Sequence, residues 1–203
     1  MDGLVRRLGI LGGTFDPPHT GHLILAEYAH DALGLDQVLF VPAADPPHKQ
    51  QEDKQPVQHR LAMLELALAD NEHFSISRAD IDRPGPHYSV DMVAIVQEQY
   101  PDYELYFVMG SDSLRNLTRW YHPEELIQRC RLAVMRRPGD YIQLNMHEAV
   151  LPSLHDRVSM VEAPLIGISS SQIVDRLQQG RSVRYLLPQA VLDYIDEHQL
   201  YRA

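Results

Sequence analysis

Short apolar runs alternate along the chain with segments whose apolar positions recur at helical spacing. Strand-like runs fall at Leu8–Leu11, Gln37–Val41, Phe74–Ser77, Glu104–Met109, Arg131–Met135 and Val158–Val161. Between them, Leu25, Ala29 and Ala32 stand at i, i+4, i+7, and Val57, Leu61, Leu64 and Leu68 at i, i+4, i+7, i+11. Val90, Val93 and Ala94 follow Ser89, a residue suited to cap a helix N-terminus. Two more helices are predicted near the end, one around Ile173, Val174 and Leu177, the other around Val191, Leu192 and Ile195. Gly180 stands where the first should stop and Pro188 where the second should start. Alternating strands and helices predict an α/β fold, a doubly wound parallel sheet covered on both faces. In such sheets ligands bind at the carboxyl ends of the strands, near a switch in strand order. The polar, Pro-rich stretch 43–56 and the stretch 82–87 read as loops, the first as a mobile one.

The densest chemistry follows the first strand, in Gly12-Gly13-Thr14-Phe15-Asp16-Pro17-Pro18-His19-Thr20-Gly21-His22. A glycine-rich turn leading into a helix lets backbone N–H groups approach phosphates, and the helix N-terminus adds partial positive charge. His19 and His22, three apart, are expected on one helix face. They could be a metal pair, a structural pair capping the helix, or imidazoles that bind phosphate. The last reading also accounts for the glycines and the helix start.

Composition narrows the field. The chain of 203 residues carries a formal net charge of −10, against a basic face for nucleic acid. An anionic small substrate would need a local cluster of positive groups. Cys130, the only cysteine, excludes an intramolecular disulfide and a cysteine-based zinc site. No apolar run approaches the roughly 20 residues of a membrane span. The apolar run ahead of Gly12 is too short for a signal-peptide core, so a cytoplasmic protein is expected. One domain over residues 1–203 is expected, its C-terminal portion from about 168 being helical.

The first motif resembles the signature of nucleotidylyltransferases of the HxGH type. Its longer form, with Phe15-Asp16-Pro17, is similar to that of bacterial nicotinate mononucleotide adenylyltransferases. Other segments resemble the same family in the same order: Pro46-Pro47-His48-Lys49, Tyr88-Ser89-Val90-Asp91, Gly110-Ser111-Asp112, Trp120, and Arg137-Pro138-Gly139. Ile168-Ser169-Ser170-Ser171-Gln172-Ile173, Val183-Arg184-Tyr185-Leu186-Leu187-Pro188 and Tyr194-Ile195 extend the likeness over nearly the whole chain.

The resemblance implies a nucleotidylyltransferase-type Rossmann-like sheet and a reaction joining nicotinate mononucleotide to ATP. It places Gly12, Gly13, Thr14, Phe15, His19, His22, Gly110, Asp112, Ile168, Ser169, Ser170 and Ser171 around ATP. Lys49, Tyr88, Ser89, Trp120 and Tyr121 would meet the mononucleotide, with His19, His22 and Lys49 as the catalytic cations. Mg²⁺ would enter on the ATP phosphates and water, since no protein carboxylate cage stands out. Trp120 could stack on the pyridinium ring, and backbone N–H groups near Ser89 and Tyr121 could take the nicotinate carboxylate. Asp112 could hold ribose hydroxyls. Ser169–Ser171 also reads from the residues alone as a helix N-cap with hydroxyls suited to an anion. Asp16 is expected to tie the turn together, and His48 is a further candidate.

One departure stands out. Where the family often has an Arg after this isoleucine, the chain has Val174. Arg176, roughly 200° further round the helix, is a poor substitute; Arg136 or Arg137 could supply the charge or be solvated turn residues, or the site is simply weaker in cations. A pantetheine-phosphate adenylyltransferase or a cytidylyltransferase would share mainly the first motif. A nucleotide-binding regulator without chemistry would not need His19, His22 and Lys49 together. Self-association into a homo-oligomer stays open.

Overall fold

Six strands form one parallel sheet in the order β3-β2-β1-β4-β5-β6. The strands are β1 (Arg6–Gly13), β2 (Gln37–Pro42), β3 (Phe74–Ile76), β4 (Tyr103–Gly110), β5 (Arg131–Arg136) and β6 (Val158–Glu162). The helices are α1 (Thr20–Leu33), α2 (Val57–Leu68), α3 (Ser89–Gln99), α4 (Ser111–Arg115), α5 (Pro123–Arg129), α6 (Leu154–Arg157), α7 (Ser170–Gln178) and α8 (Gln189–Glu197). The computed structural model describes residues 5–44, 54–136, 143–164 and 166–202.

Strand periodicity explains why helices cover both faces. Successive side chains of a strand point to opposite sides of the sheet. Leu8 and Ile10 of β1, Leu105, Phe107 and Met109 of β4, and Leu132 and Val134 of β5 therefore enter one core, with Val93 and Val96 of α3 and Leu126 of α5. Tyr106, Val108, Ala133 and Met135, between them in sequence, enter the opposite core with Ala26 and Ala29 of α1 and Leu64 of α2. The buried middle of the central strands, such as Leu8–Leu11, Leu105–Met109 and Leu132–Met135, is apolar on both faces because both faces are covered, while charged residues such as Arg6, Glu104 and Arg136 stand nearer the strand ends. A third cluster joins Met63 and Ala67 of α2 to Ile173, Val191 and Ile195, so the two C-terminal helices dock on the outer side of α2.

Several boundaries differ from the sequence expectation. β1 runs on through Gly12 and Gly13, which pair with Val41 and Pro42. The glycines thus end a strand, and the turn itself is residues 14–18. Ser77 lies beyond β3, although its N–H still reaches the Phe40 carbonyl at 3.0 Å. Tyr88, not Ser89, takes the N-cap position of α3. The short helices α4, α5 and α6 carry too few turns to leave a periodic signal. The end of α7 is as expected, with Gly180 in the left-handed region at φ 63°, and Pro188 precedes α8.

Candidate active site

β1 and β4 pair side by side and parallel, and the strand order switches between them: β2 and β3 are added on one side of β1, β5 and β6 beyond β4 on the other. The carboxyl ends of β1 and β4, Gly13 and Gly110, open the crevice where α/β sheets place ligands. Five segments meet there: the turn after β1, the start of α1, the start of α4, the start of α7, and the stretch around Leu186.

His19 is the N-cap of α1, with extended backbone at φ −135° and ψ 165°, and His22 is the third residue of the helix. The two side chains lie together on the same side of the helix start, as the spacing suggested, with their rings stacked, centroids 3.7 Å apart and planes 21° from parallel. The His19 backbone N–H donates to His22 Nδ1 at 3.1 Å. Nδ1 is therefore an acceptor, and a neutral His22 carries its proton on Nε2, as a hydrogen-bond donor. Burial pushes the His19 imidazole down to about 4; burial, then the neighbouring His19, pushes His22 down to about 3. Both rings are neutral near pH 7. His19 Nδ1 is buried and has no hydrogen-bond partner among the described residues.

Gly21 makes this stack possible. A Cβ there would lie 2.9 Å from His19 Nδ1 and 3.0 Å from Cε1. Gly13 is similarly constrained, because a Cβ would lie 3.0 Å from the Phe15 ring. Phe15 itself sits in the left-handed region at φ 51°, which costs a non-glycine residue about 1–2 kcal/mol. Its ring is buried, edge-on to His22 with centroids 5.0 Å apart and tilted against Phe40 at 5.6 Å. The backbone donors of α1 are partly engaged: Thr20 N–H goes to the Leu186 carbonyl at 3.0 Å, and His22 N–H to the His19 carbonyl at 2.9 Å. The imidazoles, more than free N–H groups, are what this terminus offers an anion.

The serine segment joins the same site. Ser169 is the N-cap of α7, its hydroxyl accepting from Gln172 N–H at 3.3 Å. Ser170 Oγ donates to the Pro17 carbonyl at 2.9 Å, which ties α7 to the turn before His19. Ile166 Cγ2 would lie 3.4 Å from a Cβ on Gly21, so the approach to Ile168 runs beside the first turn of α1. The first N–H groups of α7 and the exposed Ser171 hydroxyl face no intrahelical acceptor. Val174 packs with the apolar cluster of α2, α7 and α8. Arg176 donates through Nε and Nη2 to the Ser182 carbonyl at 2.9 and 2.7 Å, so it is tied on the far side of its helix. Arg136 pairs with Glu162 at 3.1 Å. Lys49, His48 and Arg137 lie outside the described residues.

On the β4 side, Gly110 is the N-cap of α4, and Asp112 is exposed in its first turn. A Cβ on Gly110 would lie 2.5 Å from Asp112 Oδ1, so this carboxylate folds back over the strand end only because Gly110 has no side chain. Trp120 packs its edge on Phe107, with centroids 6.0 Å apart, and keeps part of its surface exposed. Tyr88 and Tyr121 stack at 4.1 Å and 20°, which brings together the two segments expected to take the nicotinate group.

Sequence reasoning overlooked the residues that hold these segments. Arg60, 2% exposed, donates through Nη1 to the Thr14 and Ala43 carbonyls, each at 2.8 Å, and through Nε to the Gln55 carbonyl at 3.1 Å. Asp16 Oδ2 accepts from Gln55 N–H at 2.9 Å, and Asp16 Oδ1 accepts from the Tyr201 hydroxyl. Asp16 does tie the turn together, to partners far along the chain. Buried Asp80 accepts from Ala44 N–H at 3.0 Å and pairs with Arg83 at 2.8 Å, while Arg83 donates to the Tyr88 carbonyl at 3.1 Å. No local motif marks Arg60, Asp80 or Tyr201, because their partners are set by tertiary contact.

Comparison with known proteins decides the family. A cytidylyltransferase-like family model matches residues 10–176. A Thermomicrobium roseum protein named probable nicotinate-nucleotide adenylyltransferase is 48% identical over 97% of this chain and 92% of its own length. The chain belongs to the nicotinate-nucleotide adenylyltransferase family. A family member from Thermus thermophilus, named in the same words, is 43% identical over 97% of this chain and the whole of its own. The solved structure titled Plasmodium falciparum nicotinic acid mononucleotide adenylyltransferase complexed with NaAD has the same fold, with a TM-score of 0.75 at 18% identity, covering 97% of each chain. The nucleotidyltransferase α/β sheet expected of this family is thus the architecture observed.

Proposed function

We propose that the chain transfers the adenylyl group of ATP to the 5′-phosphate of nicotinate mononucleotide, releasing pyrophosphate and deamido-NAD. A 5′-phosphate oxygen attacks the α-phosphorus; the bond from that phosphorus to the bridging oxygen of the β-phosphate breaks, and pyrophosphate leaves. No protein nucleophile is required. Catalysis reduces to bringing two anions together in line and stabilising charge on the transferring group. Family membership at 48% identity supports this reading, and the observation that carries it to particular residues is the stacked histidine pair at the β1–β4 crevice.

In this reading His19 and His22 meet the ATP phosphates. Neutral His22 donates from Nε2, and the approaching triphosphate raises the affinity of both imidazoles for protons. Gly12, Gly13, Thr14 and Phe15 shape the floor. Gly110 and Asp112 hold the adenosine side, Asp112 accepting from ribose hydroxyls. Ile168 and the Ser169–Ser171 terminus take further nucleotide oxygens. Lys49 adds the side-chain cation, and the residues flanking its segment, Ala43, Ala44 and Gln55, are pinned beside Thr14 by Arg60. Trp120 stacks on the pyridinium ring, and the Tyr88-Ser89 and Tyr121 backbone receives the carboxylate. Uncompensated N–H donors would favour nicotinate over nicotinamide, whose NH₂ would face them.

Among the described residues no group of three or more His, Cys, Asp or Glu stands together as a metal cage. A Mg²⁺ carried on the nucleotide phosphates and water would neutralise charge on the triphosphate. Among the described residues no helix is long and apolar enough to cross a membrane. The test is pyrophosphate release with ATP, Mg²⁺ and, in parallel, nicotinate mononucleotide, nicotinamide mononucleotide or phosphopantetheine. Fast release with the first, slow with the second and none with the third is expected. Release with phosphopantetheine alone would move the chain to a different acceptor.

A further inference from the structure

We propose that Tyr201 is a positioning residue for adenylyl transfer, acting through Asp16 to hold Phe15 against His22. Tyr201 lies near the C-terminus, 185 positions from Asp16, and its hydroxyl donates to Asp16 Oδ1. Its ring is buried with Ile173, Val191 and Ile195 in the cluster that docks α7 and α8 on α2. A tyrosine ring in an apolar cluster needs no hydroxyl for packing, yet here the hydroxyl reaches out of that cluster to the turn after β1. Burial and the adjacent Asp16 carboxylate hold the phenol protonated, so it remains a donor.

What the tether holds is specific. Asp16 follows Phe15, the left-handed residue, and Thr14 precedes it. The Thr14 carbonyl accepts from Arg60, whereas the Asp16 carboxylate accepts from Tyr201 and from Gln55 N–H. Both neighbours of the strained residue are therefore clamped by buried groups, as a sparsely populated backbone conformation requires. The Phe15 ring is the contact of this turn with His22. Loosening one clamp lets Phe15 relax toward ordinary backbone angles and withdraw its ring from the imidazole. Misplacing a catalytic group by a fraction of an ångström lowers turnover while leaving much of the binding energy in place.

The inference rests on the phosphate role proposed for His22, and the experiment separates the two. Tyr201→Phe removes the hydroxyl and keeps the ring. In the full-length protein, a kcat about tenfold below wild type is expected, with KM for both substrates changed less than twofold. The His22 Hε1 resonance of the substrate-free protein, which feels the Phe15 ring current, is expected to shift. Asp16→Asn combined with Tyr201→Phe should lower kcat less than the product of the two single effects, because both act through one tether. A folded Tyr201→Phe protein whose His22 resonance and kcat match wild type overturns the proposal. A lowered kcat with an unmoved His22 resonance overturns it as well, since the effect would then travel by another route. A moved resonance with unchanged kcat would show that the tether sets the ring without serving transfer, and the positioning role falls. His22→Ala, run alongside, reports on the phosphate role alone: full activity there removes that reading whatever Tyr201→Phe does. If Tyr201→Phe does not fold, Asp16→Asn alone carries the same two readouts.

Discussion

Gly21→Ala sets two ordinary physical tendencies against each other. Within a helix, alanine in place of glycine stabilises by up to about 1 kcal/mol, chiefly by removing backbone freedom from the unfolded chain. Gly21 lies in the first turn of α1 at no unusual φ, so that gain applies. The new methyl, however, would lie 2.9 Å from His19 Nδ1, 3.0 Å from Cε1 and 3.4 Å from Ile166 Cγ2. Ordinary carbon contacts begin near 3.5 Å, so the His19 ring must shift by about half an ångström or swing away. His19 is 6% exposed and stacked on His22 at 3.7 Å, so it cannot shift without leaving the stack. The gain in propensity and the loss of contact offset each other in stability. The melting temperature should stay within a few degrees of wild type, which for a chain of this size is about 1 kcal/mol. Turnover has no such compensation, because it depends on where the imidazoles stand. A kcat about 10- to 100-fold below wild type is expected. Thermal melting and pyrophosphate release on the same preparation test both halves. A Gly21→Ala protein that melts normally and turns over normally would refute the placement of His19 in the reaction.

Three further outcomes follow from the same geometry. Arg60→Leu should destabilise the fold by about 3–5 kcal/mol, since it strands the Thr14, Ala43 and Gln55 carbonyls and removes a buried cation that interacts with Asp16; a denaturant midpoint near wild type would contradict this. Trp120→Ala should raise KM for nicotinate mononucleotide by about tenfold with KM for ATP little changed, whereas weakened ATP binding alone would refute the stacking role. Stability should fall on acidification below about pH 6.5. His19 and His22 titrate near 4 and 3 in the folded chain and near 6.5 when unfolded, so within that window only the unfolded chain takes up their protons. Stability there rises with pH, by at most about 2.7 kcal/mol per pH unit when both contribute. Denaturant melts at pH 7 and pH 5 should differ, and a protein with both histidines replaced by asparagine should show a flatter dependence; an equal slope would dismiss the pair as its source.

Much of this protein is legible in its sequence, for reasons of local physics. A short continuous apolar run such as Leu105–Met109 fits a strand covered on both faces, and the apolar spacing of Val57–Leu68 fits a helix buried on one side. Ser169 before an apolar turn is a cap because its hydroxyl reaches Gln172 N–H, a contact set three residues away. Gly21 stands in the first motif, but only the structure shows that a side chain there would collide with His19. The stack itself was not legible, since spacing places His19 and His22 on one helix face and only the N-cap geometry lays the rings together. The joining of Ser170 to Pro17, of Arg60 to Thr14 and of Tyr201 to Asp16 spans 153, 46 and 185 positions. Such pairings carry no periodic or motif signal, because chain folding rather than local preference brings them within reach. The sequence by itself determined the parallel α/β sheet and the serine cap of α7. Tertiary structure alone decided how the residues of the site meet, since a buried arginine, carboxylate or phenol is satisfied only by groups that distant segments deliver to it.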